Sequence, residues 1–96
     1  LDLTHPNIVR IYDFVHDDER AAIAMEHIDG RSLSAMKVET PQMCFEVREI
    51  APYIEQLCAA LDYAHNIARV VHQDLKPANL MVNSKGHLKI TDFGIA

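Results

Sequence analysis

His72-Gln-Asp-Leu-Lys-Pro-Ala-Asn79, followed thirteen positions after Asn79 by Asp92-Phe-Gly94, is the stretch on which the whole sequence turns. It is polar and contains Pro77, so it reads as a loop. The loop presents a carboxylate (Asp74), an amine (Lys76) and an amide oxygen (Asn79), and a second carboxylate (Asp92) follows beside a flexible glycine. Asn79 and Asp92 are hard oxygen donors of the kind Mg²⁺ prefers, and a metal held by only one or two protein groups completes its shell with water and substrate phosphates. Lys76 offers a point charge for a phosphoryl oxygen. Asp74, with no metal role required of it, can accept a proton from a hydroxyl. Together these parts suit phosphoryl transfer, where catalysis is mostly positioning and electrostatics.

The flanks of the loop predict an α+β fold. Downstream, Leu80-Met-Val82 and His87-Leu-Lys-Ile-Thr91 flank Asn83-Ser-Lys-Gly86 and predict a hairpin, with Gly86 at a positive φ. Upstream, the rule that proline suits a first helical turn predicts a main helix from Pro52 to between Asn66 and Ala68. Its expected apolar stripe is Ile54, Leu57, Cys58, Leu61 and His65, with Glu55, Gln56 and Asp62 off it. Ser32 is a candidate cap for a short preceding helix. Residues 8–15 and 21–28, rich in β-branched, aromatic and other apolar residues, predict two strands around the polar turn Asp17-Asp-Glu-Arg20, and Asp29-Gly30 ends the second, with a positive φ available at Gly30.

Composition narrows the function. The chain has 96 residues, 49% of them apolar, with 14 acidic and 9 basic side chains. A net charge of -5 gives no broad cationic face for nucleic acid or an anionic membrane. No apolar run approaches the ~20 residues of a membrane helix. Cys44 and Cys58 fit neither a zinc spacing nor a disulfide framework and are expected as reduced, buried apolar residues. The chain opens on Leu1 and stops on an apolar alternating run, so a segment of a longer protein is expected.

With these residues in place, the sequence resembles the eukaryotic-like Ser/Thr protein kinases. The match is His72-x-Asp-Leu-Lys-Pro-x-Asn79, Leu80-Met-Val82 and Asp92-Phe-Gly94, and it extends through His5-Pro-Asn-Ile-Val9, Met25-Glu-His-Ile-Asp-Gly30 and Gln56 to His65. The style is closest to bacterial members. The resemblance implies a partial kinase-like fold in one incomplete domain: small-lobe strands over 1–25, a hinge over 26–31 and the large lobe from 32 to 96. It implies Asp74 as catalytic base, Lys76 on the transferring phosphate, and Asn79 and Asp92 as magnesium ligands. It further implies the backbone of Glu26 and Ile28 against adenine, Met81 as the floor of that pocket, Met25 as its gatekeeper, and His72, Phe93 and Ile11 as members of a stacked column. ATP and Mg²⁺ are the implied cofactors and a Ser- or Thr-bearing protein the implied partner. No nucleic acid partner and no membrane contact from this segment are implied. The implied location is the cytoplasm, either as a free enzyme or as the cytoplasmic domain of a membrane-anchored one.

Gln73 departs from the pattern. Most members carry Arg there, and neutral Gln cannot make a charge-assisted bidentate contact with a loop phosphate; activation independent of loop phosphorylation is the expectation. The 96 residues contain no Gly-rich phosphate loop, strand lysine or partner glutamate, so the chain by itself is expected to be inactive. One rival is a pseudokinase that binds nucleotide without turnover. A second is a small-molecule phosphotransferase, against which Lys-Pro-x-Asn with Asp-Phe-Gly weighs. Singly, Asp74, Lys76, Asn79 and Asp92 are ordinary turn residues. His65 reads as a satisfied core histidine, and the remaining histidines form no ligand cluster.

Overall fold

The alternation Leu80-Met-Val82 and Leu88-Lys-Ile90 folds as expected. In a computed structural model that describes residues 3–72 and 74–93, β4 (Leu80–Asn83) pairs antiparallel with β5 (Leu88–Ile90). Leu80, Val82, Leu88 and Ile90 bury one face, and the opposed pair Met81 and Lys89 occupies the other. Gly86 closes the turn at φ +82°, and Asn83 Oδ1 accepts from the N–H groups of Lys85 and His87, both at 2.9 Å.

Gly30 opens a third strand that the sequence did not predict. β3 (Gly30–Ser32) lies on the other side of β4, giving the order β3-β4-β5. Gly86 is the positive-φ glycine among the described residues; Gly30 is needed for room instead. A Cβ there would overlap the Val82 carbonyl oxygen and lie 2.7 Å from Asn83 Cα. Ser32 then caps the short helix α1 (Leu33–Val38), its Oγ accepting from the Ala35 N–H at 3.1 Å, as predicted.

The main helix, α2 (Val47–Asp62), begins five residues before Pro52. Glu49 Oε1 reaches back to the Glu46 N–H at 3.3 Å and closes the first turn. Pro52 therefore lies inside the helix on an exposed side, where it donates no bond to the Arg48 carbonyl. The helix runs on into a wider π turn, Tyr63–Ile67, closed by Ala68 N–H to Tyr63 O at 3.0 Å. Its buried face keeps Leu57 and Leu61 of the predicted stripe but is rotated away from the rest of it. Ala60 and Ala64 are fully buried in the cluster that holds Leu88 and Ile90, with Ile50, Tyr53, Leu57 and Leu61 half-buried beside them. Ile54, Cys58 and His65 are exposed. Small alanines let the helix approach the sheet, and Cys58 lies about 200° around the helix from Ala60. Both cysteines are exposed free thiols rather than buried residues.

The predicted strand 8–15 splits in two. Ile8 and Val9 join the β5 side of the core: Ile8 bridges Ile90 in parallel, and Val9 N–H donates to Ile90 O at 2.9 Å. β1 (Ile11–His16) pairs antiparallel with β2 (Ala21–Met25) in a separate two-stranded sheet. β2 ends three residues short of Ile28. Asp17 turns the chain between them, its Oδ1 accepting from Glu19 N–H at 2.8 Å and Arg20 N–H at 2.7 Å. These two bonds hold its carboxyl below the usual range against a small opposing effect of desolvation. No helix among the described residues is long and apolar enough to cross a membrane.

Candidate catalytic site

Hydrogen bonds tie the loop that carries Asp74 and Asn79 to Thr91, the residue before Asp92. Asp74 N–H donates to His72 Nδ1 at 3.1 Å, which makes Nδ1 the acceptor and leaves the proton on Nε2. Nε2 then donates to the Thr91 carbonyl at 2.8 Å. Pro77 starts a 3₁₀ turn, Pro77–Asn79, closed by Asn79 N–H to Lys76 O at 2.9 Å. Asn79 Nδ2 donates to the Asp74 carbonyl at 2.7 Å, and the Asn79 carbonyl accepts from Thr91 N–H at 2.8 Å. The buried His72 imidazole and the Asn79 main-chain carbonyl thus tie the loop to the residue before Asp92, and the buried Asn79 amide braces the loop itself.

The bond from Asn79 has a chemical consequence. A carbonyl only accepts, so the Asp74 oxygen fixes which end of the amide is nitrogen. Oδ1 has no hydrogen-bond partner among the described residues and is available to a cation. Asp92 is exposed and held at φ +61°, a region costly for residues other than Gly and tolerated best by Asn and Asp. Phe93, next along, is 3% exposed and packs edge-on to His72 with centroids 4.9 Å apart. Burial of Phe93 fixes the chain immediately after the strained residue. Among the described residues no three His, Cys, Asp or Glu side chains form a metal cage. A carboxylate and an amide oxygen fit an ion that draws its remaining ligands from water and phosphates.

Asp74 and Lys76 are exposed and form a loose ion pair, Nζ to Oδ2 at 3.5 Å. With more than half of each side chain in solvent, this pair adds little stability. Both groups are open to solvent.

The four residues expected against adenine lie in three places. Met25 ends β2 and is exposed, Glu26 and Ile28 are half-buried in the segment that follows, and Met81 lies on the open face of β4. Ile11 begins β1 and is 36% exposed. Glu26 makes side-chain bonds that the sequence did not predict. Its Oε2 meets Lys89 Nζ at 2.6 Å and its Oε1 accepts from Arg10 N–H at 3.2 Å. Burial pushes its carboxyl up, but the Lys89 and Arg10 hydrogen bonds and charges outweigh burial and leave it below the usual range. A lysine between two buried residues of a short strand is the signal that could have found this pair.

Asn7 and Gln56 were likewise missed. Gln56, predicted off the helix stripe, turns inward: its Oε1 accepts from Leu88 N–H at 2.7 Å and from Asn7 Nδ2 at 2.9 Å. Asn7 Nδ2 also donates to Leu88 O at 2.8 Å. These bonds lock β5, and so the approach to Asp92, to α2 and to the first segment. Gln73 and Gly94 lie outside the described residues.

Comparison with known proteins shows the family and the fold. The protein kinase domain family matches residues 1–96. Aurora kinase A-A of Xenopus laevis is 42% identical over 94 residues, covering 96% of this chain and 22% of that protein. Serine/threonine-protein kinase PrkC of Bacillus subtilis is 38% identical, covering 98% of this chain and 14% of that protein. The crystal structure of the Mycobacterium tuberculosis PknI kinase domain superposes with a TM-score of 0.85 at 32% identity, covering 98% of this chain and 38% of that one. The chain therefore spans less than a quarter of these two relatives and has a partial protein-kinase-like α+β fold. It belongs to the protein kinase domain family.

Proposed function

We propose that this chain is the central part of a Ser/Thr protein kinase catalytic domain that transfers the γ-phosphoryl group of ATP to a protein Ser or Thr hydroxyl. Residues 1–25 contribute small-lobe strands, 26–31 the hinge and 32–96 the first part of the large lobe. The observation that supports the proposal is the bonding of His72 and of the Asn79 carbonyl to Thr91, which holds the loop against the residue before Asp92.

In this proposal Asp74 accepts the proton of the substrate hydroxyl and aims its oxygen. Lys76 neutralises charge on the phosphoryl oxygens. Asn79 Oδ1 and the Asp92 carboxylate hold Mg²⁺, which supplies Lewis-acid stabilisation of phosphate charge when bound. The main chain of Glu26 and Ile28 receives adenine, Met81 supports its underside, and Met25 closes the back of that pocket. The segment acts in the cytoplasm. The 96 residues alone lack the remaining phosphate-binding groups and are inactive in isolation.

The test is transfer of labelled γ-phosphate by the full-length protein, with acid hydrolysis to identify the modified residue. Label on Ser or Thr supports the proposal. Mg²⁺-dependent nucleotide binding without any transfer would replace it with a nucleotide-binding scaffold.

A further inference from the structure

The Glu26–Lys89 ion pair differs from the other three among the described residues. Those are exposed by 52% or more at each partner, whereas Lys89 and Glu26 are 15% and 26% exposed. Lys89 lies directly opposite Met81 across β4–β5, so both side chains leave the same face of the sheet. From there Lys89 reaches Glu26, in the segment after β2, while Glu26 also bonds the main chain of Arg10 through its own N–H (2.8 Å) and its Oε1. One carboxylate thus joins the end of the β1–β2 sheet to the strand that leads to Asp92.

A partly buried ion pair contributes little net stability compared with an apolar pair of similar volume. What it adds is direction. An apolar pair tolerates sliding, whereas the Glu26 carboxylate must face both an ammonium and an amide N–H.

We infer that the Glu26 and Lys89 side chains are positioning residues, which set the main chain of the Glu26 segment at a fixed height over Met81 and in line with Asp92. This rests on the nucleotide site proposed above. Neither side chain touches nucleotide or acceptor; each acts through the backbone it holds.

The test uses the full-length protein and its Lys89→Met, Glu26→Gln, double, Lys89→Arg and Lys85→Met forms. Mant-ADP with Mg²⁺ reads nucleotide affinity, steady-state transfer reads KM and kcat, and thermal melting reads stability. Lys89→Met and Glu26→Gln should each weaken mant-ADP binding about tenfold, and the double variant should be no worse than either single. The loss should fall on KM for ATP more than on kcat, Lys89→Arg should recover most of it, and Lys85→Met, in the exposed turn, should change nothing. Affinity within twofold of the parent, additive single effects, or losses that follow the melting temperature alone would each overturn the inference. If the parent binds mant-ADP but transfers no phosphate, the kinase proposal fails, and the binding comparison still decides this one. If the parent binds no nucleotide, both fall.

Discussion

The side-chain amide of Asn79 donates a 2.7 Å hydrogen bond to the main-chain carbonyl of Asp74. The bond presets two proposed functional groups against each other before any ligand arrives. Asn79→Asp keeps an oxygen donor but sets a carboxylate against that carbonyl with no N–H to give. Unfolding free energy should fall by about 1–3 kcal/mol, the cost of an unsatisfied buried group, and phosphate transfer should fall about 100-fold. Urea denaturation and steady-state transfer check the two effects separately.

His72 links the Asp74 N–H to the Thr91 carbonyl and is 3% exposed. His72→Phe keeps the ring against Phe93 but strands one N–H and one C=O. A loss of about 2–4 kcal/mol is expected, with His72→Gln recovering part of it, as read by denaturation midpoints.

Gly30 and Gly86 should respond differently to alanine. At Gly30 the new methyl group meets fixed backbone of β4, so Gly30→Ala should cost about 2 kcal/mol or more and disturb the β3–β4 pairing. At Gly86 nothing lies within 4 Å, and only the positive φ opposes a side chain, so Gly86→Ala should cost about 1 kcal/mol. Thermal melts of the two variants side by side give the comparison.

Acid should destabilise the fold progressively, through His5 and Glu26 and, at lower pH, through Asp17, whose carboxyl is also lowered, from 3.8. Burial lowers the His5 pKa from 6.5, so unfolded His5 binds a proton more readily than folded His5. Stability is therefore lost as pH falls through and below 6.5. The Glu26 carboxyl is lowered from 4.5 in the fold; its contribution is complete above 4.5 and is lost as pH falls below that value. His5→Asn should remove the His5 contribution and Glu26→Gln the Glu26 contribution, in denaturation curves collected across pH.

Much of this was legible in the sequence because its signals are local. The Leu-x-Ile alternation around Asn83–Gly86 fixes a hairpin by turn chemistry and period two, and Ser32 caps a helix within three residues. Asp74, Lys76, Asn79 and Asp92 stand out in the sequence as a proposed set through their spacing and chemistry. The missed features depend on tertiary partners. Pro52 looked like a helix start because the Glu46–Glu49 closure lies upstream. Ile54 and Cys58 looked like core because hydrophobicity outranked size, whereas closeness to the sheet selects Ala60 and Ala64. Gln56 and Lys89 read as surface residues because the groups they bond are 30 or more positions away.

The central claim is that Asp74 directs the acceptor hydroxyl while other groups hold the nucleotide. The most direct measurement is phosphate transfer by full-length Asp74→Asn beside the parent, at saturating MgATP, with mant-ADP binding read on the same samples. The account predicts a fall in kcat of roughly 10²–10⁴-fold, the range of general acid–base catalysis, with nucleotide affinity retained. Equal transfer by the two proteins would contradict it.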